Sequence, residues 1–168
     1  VKRLTVSTDV KIPPSEAYEF LLDFPGYAEY SKHLTGVEQD GDGGPGTEYR
    51  LHFAWWKLTY TAHSRVTDVD PPHRIDWEVT KHIDAEGRWE IEPLHDRENP
   101  ASRVSLVVEY DPESVSESAI SLPPLVGLDW VVGKATGLIE KEGERVVERI
   151  VADLEGERRP VDLHVSVD

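Results

Sequence analysis

The 168-residue chain has no cysteine. Disulfides, thiolate metal ligands and cysteine nucleophiles are thereby excluded. No apolar run approaches the roughly 20 residues of a transmembrane helix, and no charged-then-apolar leader opens the chain. The expectation is a soluble, cytoplasmic protein with no integral membrane segment. Positive charge is also scarce: 18 Lys+Arg stand against 33 Asp+Glu, for a net charge of -15. The acids are scattered, without a run of five or six like charges, so they read as a solvated surface and not as an interaction tail. A nucleic-acid partner would need a basic stripe, and none is present.

Reactive constellations are missing as well. None of His33, His52, His63, His73, His82, His95 and His164 has metal-ligand spacing, so no metal, cofactor or catalytic residue is assigned. Strand parity turns His52 and His63 outward, His73 and His95 fall in loops, and His33, just after the short helices, could reach the cavity rim but is not assigned to it. Gly41 to Gly46 carries four glycines but lies between two strands, without the helix N-terminus a phosphate loop needs. It reads as a turn. No serine stands in a G-x-S-x-G elbow.

What is there is a clear order of periodicities. Leu4 to Ile12 reads as a strand, followed by two short helices split at Phe24-Pro25-Gly26. Leu34 to Glu38 is a short strand. Tyr49, Leu51, Phe53 and Trp55 then alternate with Glu48, Arg50 and His52, which is a half-buried antiparallel strand. Further apolar faces are Leu58, Tyr60 and Ala62; Ile75, Trp77 and Val79; Trp89 and Ile91; and Val104, Leu106, Val108 and Tyr110. Asp70-Pro71-Pro72-His73 marks one turn, and Asp84 to Gly87 reads as another. From Leu125 to Leu154 the spacing becomes helical, with Leu128, Val132, Ile139, Val146 and Ile150 on one stripe. Gly156 is placed to end that helix. The domain is expected to span 1–155, leaving 156–168 as a tail with a period-two stub at Val161, Leu163, Val165 and Val167.

The resulting fold class is α+β: a curved antiparallel sheet of six to seven strands wrapped on a long C-terminal helix, with two short helices after the first strand. Every strand has one wet and one covered face, and six or seven twisted strands tend to curl. The helix offers Thr136 and Gly143 beside Ile139, while the sheet offers Tyr49, Phe53, Trp55, Tyr60, Trp77 and Trp89. These line either an ordinary core or an aromatic-walled ligand cavity. Tyr27, Tyr30, Ile120, Leu122 and Leu125 are the candidate cavity mouth. Tyr49, Tyr60, Ser64, Thr136 and Glu142 are the polar groups an enzyme would use.

The chain resembles the START-type helix-grip superfamily (SRPBCC), in its polyketide cyclase/dehydrase-like branch. The resemblance rests on Ile12-Pro13-Pro14-Ser15-Glu16-Ala17-Tyr18 through Tyr30, Gly46-Thr47-Glu48-Tyr49, Pro72 to Trp77, and Gly87-Arg88-Trp89. The composition, acid-rich with seven lysines against eleven arginines, is similar to that of halophilic archaeal proteins. At about 1 M salt, where the Debye length is about 3 Å, the self-repulsion of such a surface is screened. The resemblance implies a small apolar ligand (a lipid, isoprenoid quinone or polyketide-like molecule) between sheet and C-terminal helix. A cyclase or dehydratase using the same cavity, or a protein-interaction module of the ribosome-associated toxin kind, are the alternatives it leaves open. No oligomeric state follows from it.

Overall fold

The computed structural model describes residues 2–23, 32–55, 58–81, 84–95, 100–111, 114, 145–156 and 164–167. Nine-residue β1 (Lys2–Val10) leads into helix α1 (Pro14–Leu22). Pro14 occupies the first helical turn, where its missing N–H costs nothing. The carbonyl of Pro13 accepts from the N–H groups of Glu16 and Ala17. The strands β2 (Leu34–Asp40), β3 (Glu48–Trp55), β4 (Leu58–Asp70), β5 (Arg74–Val79), β6 (Ala85–Leu94) and β7 (Ala101–Tyr110) follow. Residues 145–155 form helix α2, and β8 (His164–Val167) closes the chain's described part.

The strands make one open sheet in the order β2-β3-β4-β5-β6-β7-β1-β8, and every neighbouring pair is antiparallel. The sheet therefore has eight strands, not six or seven. The additional strand comes from the tail, where Val165 faces Val6 and His164 faces Ser7 across β1. The backbone of β1 offers a free row of donors and acceptors, and four extended residues suffice to pair with it.

A second difference concerns Asp84 to Gly87. Ala85, Glu86 and Gly87 already belong to β6, paired with Tyr110, Glu109 and Val108 on one side and, for Gly87, with Trp77 on the other. The glycine that reads as a turn signal serves a neighbour instead. A methyl group at Gly87 would lie 2.3 Å from the Trp77 indole, so the missing side chain is what lets the ring lie across the sheet. Gly41 to Gly46 is a turn, as its composition implies. Gly41, Gly43 and Gly46 take φ of 134°, 99° and 90°, and buried Thr47 accepts the Gly43 N–H at 2.9 Å.

The core lies on the inner sheet face against α1 and α2. It includes Val10, Ile12, Ala17, Tyr18, Leu21, Tyr49, Val66, Ile75, Ile91 and Val151. Helix α1 packs on β6 and β7. Ser102 Oγ donates to the Ile12 carbonyl at 2.8 Å, fixing the exit from β1 to β7. Helix α2 ends at Gly156, whose left-handed φ of 76° accompanies a 2.9 Å bond from its N–H to the Ala152 carbonyl. Glu155 accepts the Lys11 N–H at 2.7 Å, which ties that helix end to the β1–α1 junction.

The outer face is ionic. Arg3 pairs with Glu109, Arg103 with Asp9 at 2.9 Å, Arg50 with Glu38, Arg65 with Glu78, and Arg88 with Glu90. Arg74 bridges Asp68 and Asp76 at 3.0 and 3.1 Å. Each exposed pair is worth about 0–1 kcal/mol, so their main effect is to keep this face in water. Among the described residues no helix is long and apolar enough to cross a membrane. The expected second short helix and the expected helix before residue 145 lie outside the described residues.

The Trp77–Gly87 contact gives a direct test. Gly87→Ala forces the indole or the β5–β6 pairing to shift, and is expected to cost about 1–3 kcal/mol in urea denaturation. A variant as stable as the parent would contradict the contact.

Candidate functional site

Two chambers open between the inner sheet face and the helices. The front chamber, of about 330 Å³, lies over β3, β4 and β5 and reaches α1 at Leu21 and Leu22. Alternation explains its floor. Tyr49, Leu51 and Phe53 of β3 share a face with Ala62, Ser64 and Val66 of β4 and with Ile75, Trp77 and Val79 of β5. Bulky aromatics on β3 and β5 stand either side of small residues on β4, and that contrast in size hollows the surface. The back chamber, of about 160 Å³, lies between β1, β7, α1 and the α2 residues Val147, Ile150, Val151 and Leu154.

Both chambers are bordered by Leu21, Trp89 and Leu106. Trp89 and Leu106 are direct cross-strand partners on β6 and β7, and Leu21 is buried on α1. These three side chains form a waist between the chambers.

The polar groups are few. Among the described residues lining the front chamber they are the indole N–H groups of Trp77 and Trp89 and the hydroxyls of Tyr49 and Ser64, the last two being direct partners across β3 and β4. Such partners have Cβ atoms about 4.5–5.5 Å apart. Burial raises the Tyr49 phenol above its ordinary value of 10.0, and Asp23 and Asp42 add to the effect. Tyr49 is thus a neutral hydrogen-bonding group at physiological pH. Ser7 and Thr8 are the polar side chains bordering the back chamber. No carboxylate, imidazole or amine is among the described residues lining either chamber.

The residues singled out in the sequence fall as follows. Tyr49 is buried, Phe53 stands at the front rim with 36% exposure, and Trp77 and Trp89 are half-buried walls. The backbones of Trp55 and Tyr60 pair with Leu58 and Phe53, while their side chains lie outside the described residues. So do Thr136, Ile139 and Gly143, and the mouth candidates Tyr27, Tyr30, Ile120, Leu122 and Leu125. Glu142 and His82 also fall there. His52 is on the outer side, with Nδ1 3.1 Å from Thr61 Oγ1 and Nε2 3.7 Å from Glu38. His73 Nδ1 lies 3.4 Å from the Ile91 carbonyl. Among the described residues no group of three or more His, Asp or Glu side chains could hold a metal ion.

The back chamber was not anticipated. Its signal was nonetheless present: Val6, Thr8 and Val10 alternate on β1, and Val147, Ile150, Val151 and Leu154 follow helical i, i+3, i+4, i+7 spacing. Val151, completely buried, is the centre of that stripe.

Solved structures share this architecture. The Zhui aromatase/cyclase from Streptomyces sp. R1128 superposes with a TM-score of 0.68 at 17% identity, over 92% of this chain and 94% of its own. A START superfamily protein from Mycobacterium smegmatis gives 0.64 at 17% identity, over 92% and 99%. The di-domain ARO/CYC BexL from the BE-7585A biosynthetic pathway gives 0.59 at 14% identity, over 94% of this chain and 50% of its own. At such identities the likeness establishes the fold, a helix-grip-like α+β arrangement. No curated protein matches the sequence significantly. The family model for polyketide cyclase / dehydrase and lipid transport proteins matches residues 2–155. With nearly the whole described sheet and both helices inside that match, the chain belongs to the polyketide cyclase / dehydrase and lipid transport family.

Proposed function

We propose that this protein binds a small, largely apolar molecule in the groove between sheet and helices, and carries it without transforming it. The observation that carries this reading is the lining of the front chamber: apolar and aromatic walls with the side chains of Tyr49 and Ser64 among them. A volume of about 330 Å³ falls within the roughly 300–1,000 Å³ of small-molecule sites. Burial of a ligand's apolar surface contributes about 25 cal/mol per Å². The Ser64 hydroxyl, on the lining opposite Tyr49, would orient a ligand oxygen. The candidate ligands are a lipid, an isoprenoid quinone or a polyketide-like compound. The acid-rich surface disfavours a polyanion, so nucleic acid has no part in the proposal.

A second reading is a cyclase or dehydratase in the same groove. The hydroxyl of Ser64 on the lining favours it, since a donor aimed at a carbonyl oxygen would stabilise developing negative charge. The predominantly apolar and aromatic lining is what carriage requires, which is why carriage is preferred. If chemistry occurs there, Tyr49→Phe lowers turnover while leaving ligand affinity nearly intact. Equal losses of both support carriage.

Native mass spectrometry of protein from its own host is expected to show an apolar co-purifying molecule. Quinones should also quench tryptophan emission saturably through Trp77 and Trp89, and bound fatty acids should shift that emission to shorter wavelength. An empty protein that binds nothing across both panels contradicts the reading.

The raised Tyr49 phenol has a consequence for stability. In the unfolded chain it ionises near 10.0, while the folded protein still holds the proton. The unfolded state then binds fewer protons, so stability falls as pH rises from that value through the folded one. Tyr18, also raised by burial and by Asp70, adds to the same slope. Denaturation measured across that alkaline range is expected to fall less steeply for Tyr49→Phe than for the parent. Identical slopes would contradict a buried, neutral Tyr49.

A further inference from the structure

The two chambers differ in chemistry as well as size, and they meet at one place. The front chamber has aromatic walls and the Tyr49 and Ser64 hydroxyls. The back chamber is lined largely by aliphatic side chains of β1, β7 and α2. An apolar cavity of roughly 150 Å³ holds one benzene molecule. On that scale the back chamber, at about 160 Å³, takes about six carbons, and the front chamber, at about 330 Å³, takes about two rings. Leu21, Trp89 and Leu106 border both. Of the three, Trp89 is much the largest, and its cross-strand pairing with Leu106 holds its backbone in place.

We infer that the groove is a two-compartment site for an amphiphile, with an oxygen-bearing ring system in front and a short unbranched aliphatic chain behind, and that Trp89 sets the chain length. This rests on the carriage reading and sharpens it. The flat, aromatic front walls suit a planar ring. Among the described residues the back chamber is bordered by the hydroxyls of Ser7 and Thr8 but by no charged group, so a charged end would lack a counter-charge there. A ligand that fills only the front chamber forgoes the back chamber's apolar contact. One with a branched or long chain meets the indole of Trp89 or the α2 wall at Val151.

The probe is a naphthol bearing an unbranched alkyl chain, in a series from methyl to decyl, titrated by calorimetry. For the natural protein, binding is expected to tighten about fourfold per methylene until the chain reaches about six carbons, and then to level. In Trp89→Ala the septum is gone, and the break moves to longer chains. In Val104→Phe a ring enters the back chamber, so the tightening along the series is lost. That variant decides the matter if Trp89→Ala does not fold. Affinity independent of chain length in the natural protein, a break unmoved in Trp89→Ala, or undiminished tightening in Val104→Phe overturns the two-compartment inference and leaves carriage standing. Failure of the natural protein to bind any member of the series, or naphthol itself, overturns this inference, and carriage falls with it only if quinones and fatty acids fail to bind as well.

Discussion

A two-residue alternation repeated along the strands forces this protein to separate water from oil across a single sheet, and the rest of the structure follows from that constraint. On one side arginines and carboxylates pair in registered ladders, as Arg3 does with Glu109 and Arg103 with Asp9. That side gains little energy from being paired and stays hydrated. On the other side Tyr49, Val66, Ile75 and Ile91 must leave water. A sheet with one apolar face has to be covered. Helix α1 provides that cover at β6 and β7, and α2 at the back chamber.

The hollow results from how residue sizes are distributed on the covered face. Large aromatics occupy Tyr49, Phe53, Trp77 and Trp89, while Gly43, Ala62, Ser64 and Gly87 are small. Gly87 is taken up by the Trp77 indole, which would meet any side chain placed there. Ala62 and Ser64 are not filled in that way, and the front chamber opens above them. Trp89, with Leu21 and Leu106, borders both chambers. Close packing is the rule in protein interiors. In the proposed reading, a groove of this volume lined by apolar groups is surface left for another molecule.

Much of this was legible in the sequence, and the failures have physical causes. Strands β3, β5 and β7 could be read with their parity, because large apolar residues alternate with charged ones. The glycine turn at Gly41–Gly46 and the helix stop at Gly156 were legible because a positive φ strongly favours glycine. Ala85–Gly87 was misread because glycine serves both turns and close approach, and the Trp77 ring that needs the space is ten residues away in sequence. The eighth strand was undecidable because four residues of alternation carry little weight until a partner edge exists. The back chamber went unseen for another reason. Its walls are valines and leucines drawn from β1, β7 and α2, and such residues look identical whether they touch one another or surround a space. Sequence shows which face a residue belongs to, and not how far away the opposite wall stands.

The central claim is that the inner face encloses real, apolar, divided space. Crystals of the protein under xenon pressure test it most directly, since apolar protein cavities take up xenon. The account predicts xenon in the back chamber against Val10, Leu106 and Val151, and a separate site in the front chamber on the other side of Trp89. Collapsed chambers with side chains in mutual contact and no xenon at either position would contradict it.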